Sequence, residues 1–561
     1  MPWRRAARLG RMSTTEQTTS EALAAGWLAD VDAAMATRDW AKATRLAERA
    51  LALGFEHARF LHLRAAGRAQ AGQNSAALAD LERAHELDPA DPGIGNALGV
   101  ALIRAGDPRR ALAVLAATSE AEPALPITWV NLGAAHLALG DPAAAEAAYQ
   151  QAVTLDPTLA PAWGRLAVIA SNRGDADEAR RRAGRALALD PHDPDGRRAA
   201  IEADLDQGQP EAAEQAARAW LTAGRIGPNG KAHALGLLGD ALDAQGRFDA
   251  AFAAYAAGKA EFGRIHAPRY RAAGQPSLPT IFRTLKRDFQ AIAPARWRSA
   301  SGNAAGSGPR THVFLMGFMR SGTTLLEQAL SRHPDVVGLE ETEALAHAGA
   351  DYLVQPEGLS HIADVSTAEA DRWRVAYWSA VGEAGVDPAG KVFIDKLPFN
   401  AVKLPLIAKL FPDAKIIFAV RDPRDVVLSC FQRRFQPNAY TFEMHTLAGA
   451  AELYASYMEL AAAYRAGLPL DLFEHRHEAL VADVGAAVSA VCRFIDLDFR
   501  PELTAFGSAA RSGQVLSQSA RQLGQGLNTK GVARWRDYTG PMATVHKTLA
   551  PWVTAYGYAS D

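Results

Sequence analysis

Two stretches of the chain concentrate groups able to hold a doubly charged oxyanion. The first is Gly317-Phe318-Met319-Arg320-Ser321-Gly322-Thr323-Thr324, placed after the apolar run Val313 to Met316 and before the helix-like Leu325 to Leu330. Strand, glycine turn and helix in that order aim backbone N–H groups and the positive end of a helix dipole at one point, which favours a phosphate there. The spacing Gly317-x4-Gly322 equals that of a nucleotide-triphosphatase loop, but Thr323 stands where that motif requires lysine. The second stretch follows the strand-like run Ala414 to Val420: Arg421-Asp422-Pro423-Arg424-Asp425, then a helix expected to carry Ser429 and Arg433. Four residues apart, Ser429 and Arg433 would share one helix face, and with Arg421 at the strand end three donors would converge on one phosphate.

Arg320-Ser321-Gly322-Thr323-Thr324-Leu325 resembles the 5′-phosphosulfate loop of sulfotransferases that use 3′-phosphoadenosine 5′-phosphosulfate (PAPS). Arg421, Ser429 and Arg433 resemble that family's 3′-phosphate element, and Thr529-Lys530-Gly531-Val532-Ala533-Arg534-Trp535 resembles its basic lid segment. This resemblance covers residues 310–561. It implies PAPS as co-substrate, adenosine 3′,5′-bisphosphate as product, and no metal. The implied nucleotide contacts are Arg320, Ser321, Gly322, Thr323, Thr324, Arg421, Ser429, Arg433, Lys530 and Gly531. His477-Glu478 departs from the family pattern, in which some relatives have tyrosine next to glutamate, and leaves a contact from His477 open.

Sulfuryl transfer spreads charge over three oxygens between an attacking and a leaving oxygen, so the protein must position the partners and stabilise that charge. By resemblance the cations are Arg320 and Lys396, the latter in Asp395-Lys396-Leu397-Pro398-Phe399-Asn400 after the strand-like Val392 to Ile394. Gly338-Leu339-Glu340-Glu341-Thr342, preceded by His333-Pro334-Asp335, resembles the strand after the phosphate loop in protein-tyrosine sulfotransferases, where the second glutamate is the base. That residue is Glu341, with His333 as its rival. Trp373, Tyr377 and Trp378, at near-helical spacing, fit either an acceptor pocket or a core.

These candidate residues all lie in the second half of the chain. A length of 561 residues exceeds one domain, and 60 Lys+Arg against 62 Asp+Glu lack the basic excess of a protein that draws its affinity from nucleic-acid phosphates. Cys430 and Cys492 are too few for a disulfide scaffold or a zinc site, so a reducing cytoplasm is expected. No run of ~18 apolar residues suggests a membrane span. Residues 1–25 are expected to be disordered.

The first half is periodic. Gly72, Gly106, Gly140, Gly174 and Gly208 are each 34 residues apart, and Pro89, Pro123, Pro157 and Pro191 keep the same step. The period, and above all the stretch from Trp129 through Asn131, Leu132, Gly133, Tyr149 and Pro157, resembles the tetratricopeptide repeat over residues 26–262. Each repeat would be an antiparallel helix pair, stacked into a superhelix whose concave face suits a peptide or protein. After Gly208 the next equivalent glycine is Gly246, with an insertion at Gly227 to Gly230.

The expected architecture is therefore an N-terminal α-solenoid of tetratricopeptide repeats at 26–262, a helical connector and flexible linker at 263–309, and a three-layer α/β, P-loop-like domain with a mainly parallel sheet at 310–561. The first functional expectation is a PAPS-dependent sulfotransferase acting on a hydroxyl or amine of a peptide, glycan or small molecule, with a protein or peptide in the repeat groove. The alternatives are a repeat scaffold with a nucleotide-sensing domain and a divergent P-loop kinase.

Overall fold

A computed structural model describes residues 4–5, 14–224, 226–271, 274–298, 308–353, 355, 357–505 and 531–559. A helix spans Thr14–Ala36, within which falls part of the stretch expected to be disordered. The core of the expected flexible linker (299–307) and Lys530 lie outside the described residues. Contacts group the chain into two compact units, residues 1–171 with 177–200, and residues 172–176 with 201–561.

The first unit consists of helix pairs such as Pro92–Ala105 with Pro108–Ala121 and Pro126–Ala138 with Pro142–Leu155. Gly106 and Gly140 make the turns inside these pairs with φ of 86° and 79°, a left-handed conformation that glycine adopts without a Cβ clash. Asp107 and Asp141 then cap the second helices, accepting from the N–H of Arg110 and Ala144. Small residues set the helix separation: a Cβ on Gly133 would fall 2.7 Å from the Tyr149 ring.

The second unit begins with further repeat-type helices, including α1 (Pro228–Ala244) and α2 (Phe248–Tyr270), followed by α3 (Leu278–Gln290). The insertion before Gly246 is absorbed as length, α1 having 17 residues where the helices between Trp40 and Thr222 have 13 or 14. Position 262 falls inside α2, a continuous helix of 23 residues.

Five strands follow: β1 (Thr311–Gly317), β2 (Val336–Glu340), β3 (Val392–Lys396), β4 (Lys415–Val420) and β5 (Asp471–Arg476). Their order is β2-β3-β1-β4-β5, with every pair parallel. Period-two alternation sends Phe314, Met316, Phe393 and Phe418 into one apolar layer and Val313, Leu315, Ile394 and Ile417 into the other, so both faces of the sheet are covered. The covering helices include α4 (Thr323–Leu330), α5 (Thr367–Glu383), α6 (Pro423–Gln432) and α7 (Leu447–Gly467). From β1 the chain crosses to β2 and returns through β3, whereas β4 lies on the other side of β1. Such a change of direction opens a crevice at the carboxyl ends of the strands, the usual ligand position in this architecture. Among the described residues, no helix is long and apolar enough to cross a membrane.

Candidate active site

Where β1 ends, Gly317 lies opposite Ala419 of β4, and a Cβ there would stand 2.5 Å from the Ala419 carbonyl oxygen. Only glycine lets the chain leave the sheet at this point. The loop then turns through Arg320 and Gly322, at φ 67° and 95°. A left-handed arginine costs about 1–3 kcal/mol, strain of the kind that gathers at ligand sites. Leu326 N–H donates to the Gly322 carbonyl as the first bond of α4, so the N–H groups ahead of it open from the helix end. Ser321, Thr323 and Thr324 are buried around that opening.

The phosphate loop and the 421–433 element are in direct contact. Arg320 Nε donates to Ser429 Oγ at 3.1 Å, and Arg421 Nη1 donates to the Arg320 carbonyl at 3.0 Å. Burial, reinforced by the charges of Arg433 and Arg421, lowers the Arg320 guanidinium to about 9. Three guanidiniums of like sign are thus gathered where a bound dianion would relieve their repulsion.

Within Arg421-Asp422-Pro423-Arg424-Asp425, each charged side chain has a separate task. Arg421 Nη2 donates to the Gly531 carbonyl at 2.5 Å. Asp422 caps α6 through the Arg424 N–H and also pairs with the Arg424 guanidinium at 2.8 Å. Asp425 accepts from the N–H groups of Ala533 and Trp535 at 2.7 and 2.9 Å, while Arg424 lies 3.9 Å over the Trp535 ring. The motif therefore ties residues 531–535 to the phosphate element. One expectation needs correction: α6 stops at Gln432, and Arg433 follows in an extended conformation, so Ser429 and Arg433 do not share a helix face. The Arg433 carbonyl accepts from Lys259 Nζ at 2.8 Å, a tertiary donor at the helix end.

One strand over from β1, Lys396 pairs in register with Glu340 of β2. Its ammonium lies 3.0 Å from Glu341, 3.1 Å from Glu340 and 3.2 Å from Glu327, and the residue is 0% exposed. The cation expected to face a leaving phosphate is thus ringed by carboxylates in this structure. Burial lowers the Lys396 ammonium, but Glu327, Glu341 and Glu340 outweigh it and the net shift is upward. Burial likewise raises the Glu327 carboxyl, to about 8, against the pull of Lys396. Glu341 differs from both: its side chain is 47% exposed, its φ is 46°, and its N–H donates to the Lys396 carbonyl at 2.8 Å. It is held on one side and open on the other, as a base that meets a substrate must be.

His333 is 2% exposed, and its Nδ1 accepts from the Asp335 N–H at 3.1 Å, the geometry of a turn residue. Tyr377 is buried and donates to Asp395, Trp378 packs against Phe393, and Trp373 donates to the Tyr352 hydroxyl; this aromatic stripe is core. His477 abuts the phosphate loop, its Nδ1 2.5 Å from where a Cβ on Gly322 would sit. Burial first, then Arg421, His475 and Arg320, lowers this imidazole to about 3, so the ring is neutral at pH 7.

Residues 312–501 match the model of the Sulfotransferase family, and residues 96–160, 165–231 and 136–185 match Tetratricopeptide repeat models. The chain is thus similar to tetratricopeptide repeats in its first half and to the Sulfotransferase family in its second. An uncharacterized protein of Aquifex aeolicus is 24% identical over 42% of this chain and 32% of its own length. A putative protein-tyrosine sulfotransferase of Caenorhabditis briggsae is 23% identical over 44% of this chain and 88% of its length. Protein-tyrosine sulfotransferase 1 of Mus musculus is 33% identical over 23% of this chain and 37% of its length. The chain thus spans about a third of the first and third of these relatives.

Two contributions to the architecture of this candidate site escape sequence reasoning. Glu327 has a local signal, a single acid in the otherwise uncharged helix Thr323–Leu330. Asp425 has none, because its partners lie 108 and 110 residues downstream.

Proposed function

We propose that this protein transfers a sulfuryl group from PAPS to a hydroxyl or amine acceptor. The contact between the phosphate loop and the Arg421–Arg433 element carries the reading: a single nucleotide with two anionic ends needs two adjoining cradles, and Arg320 hydrogen-bonds Ser429. Arg320, Ser321, Gly322, Thr323 and Thr324 hold the phosphosulfate end, and Arg421, Ser429 and Arg433 hold the 3′-phosphate, with Lys530 and Gly531 completing that side.

Glu341 takes the acceptor proton as the acceptor oxygen or nitrogen bonds to sulfur. The bond from sulfur to the bridging oxygen breaks at the same time, and the leaving phosphate keeps that electron pair under Arg320 and the loop N–H groups. A positioned base contributes about 10²- to 10⁴-fold. Lys396 orients Glu341 and is the second cation of the site. No metal is assigned a role. The names of the relatives make a peptide tyrosine the first acceptor to test, and the repeats are assigned the holding of a protein or peptide.

Incubating the full chain with donor labelled in its sulfuryl group, against tyrosine peptides, sugar hydroxyls and amines, and simple phenols, tests the proposal. Label should pass to one acceptor class with wild type and not with Glu341→Gln. Label transfer by neither form, from a chain that binds adenosine 3′,5′-bisphosphate, would favour a nucleotide-sensing scaffold instead.

A further inference from the structure

Behind the anion cradle stands the helical hairpin α1–α2, which grips both backbone segments of the 3′-phosphate side. Helix α2 runs along the segment that follows α6. Phe252 stacks on Phe431 at 5.2 Å, Lys259 Nζ holds the Arg433 carbonyl at 2.8 Å, and the Tyr270 hydroxyl donates to the Pro437 carbonyl at 3.0 Å. Gly263 admits the His445 ring, which a Cβ would meet at 2.5 Å.

Helix α1 contributes two carboxylates three residues apart, hence on one helix face. Asp240 accepts from Arg434 at 2.5 Å and from the Tyr255 hydroxyl at 2.9 Å. Asp243 accepts from Arg534 at 2.7 Å and from the Tyr538 hydroxyl. Arg434 is the immediate neighbour of Arg433. Arg534 lies in the segment that Arg421 and Asp425 hold at Gly531, Ala533 and Trp535, and its guanidinium stands 4.8 Å over Phe248 of α2. One acid of α1 therefore holds each segment, with Glu202 also 3.7 Å from Arg434 and Asp537 also paired with Arg534, and the hairpin is their common support.

We propose that Asp240 and Asp243 are positioning residues for the nucleotide, so that the last repeat-type hairpin is a working part of the donor site. This rests on the sulfuryl-transfer reading. The acids touch neither nucleotide nor acceptor. They act through Arg434 and Arg534, fixing where Arg433 and Gly531 meet the 3′-phosphate. A contact to the 3′-phosphate is remote from the reacting sulfur and is made equally in ground and transition state, so weakening it raises KM and leaves kcat unchanged.

The test compares the full chain with Asp240→Asn, Asp243→Asn and the milder Tyr538→Phe, which removes one donor to Asp243 and keeps the ring beside Phe248. Calorimetry with adenosine 3′,5′-bisphosphate should show each Asn variant binding about tenfold more weakly, and Tyr538→Phe about threefold. The KM for PAPS should rise by similar factors, with kcat and the acceptor KM unchanged. Lower thermal stability with wild-type affinity and KM would mean a merely structural role and overturn the inference. Should both Asn variants fail to fold, Tyr538→Phe decides: unchanged affinity overturns it, a loss supports it. Binding to wild type with no loss in any variant defeats this inference alone, whereas no binding to wild type removes the sulfuryl-transfer reading as well.

Discussion

Glu341 and Lys396 are locked together twice. The ammonium donates to the Glu341 carboxylate at 3.0 Å, and the Glu341 N–H donates to the Lys396 carbonyl at 2.8 Å. This double link holds a left-handed glutamate at the ends of β2 and β3, half in solvent, beside the strand that feeds the phosphate loop.

On the proposed mechanism, replacing Glu341 should separate binding from chemistry. Glu341→Gln keeps the shape and loses the proton acceptor, so kcat should fall about 10²- to 10⁴-fold. Affinity for adenosine 3′,5′-bisphosphate, measured by calorimetry, should stay at the wild-type value.

Glu327 predicts a dependence of stability on pH. Its ordinary value is 4.5, and burial, with the charges of Glu340 and Glu341 and against the pull of Lys396, raises it to about 8 in the folded chain. Between those values the folded state holds a proton that the unfolded state has released. Its contribution to stability is then complete below the lower value and is lost as pH rises through the upper one. Urea unfolding of wild type and Glu327→Gln at about pH 5 and about pH 8 should show a smaller decline for the variant.

In the repeats, Gly133 and Gly140 should respond to alanine for different reasons. At Gly133 the added methyl meets the Tyr149 ring, an overpacking that costs about 1–3 kcal/mol. At Gly140 the backbone is left-handed, with φ of 79°, and that strain costs about 1–2 kcal/mol. Adding Tyr149→Leu should recover part of the first loss and none of the second, as read by thermal or urea unfolding.

Local requirements were legible in the sequence. The period-34 glycines occupy left-handed turns, and the phosphate loop carries its glycines where a strand meets a helix. Arg421 directly follows a strand, and Ser429 lies in the helix after it, as their setting in the sequence implies. What the sequence could not reveal depends on pairing between distant segments. Lys396 acquires its ring of acids because β2 and β3 align Glu340 with it, and Arg433 leaves the helix where Lys259, 174 residues away, takes its carbonyl. The repeat period likewise carries no trace of what α1 and α2 pack against, so their contacts with Arg434 and Arg534 are visible only in the fold.

Isothermal titration of the intact chain with adenosine 3′,5′-bisphosphate tests the central claim most directly. One saturable site is predicted, weakened at least about tenfold in Arg320→Ala, Ser429→Ala or Arg433→Ala, since each removes a donor assigned to a phosphate in the proposed function. Absence of binding by the folded wild-type chain, or equal binding by all three variants, would contradict the account.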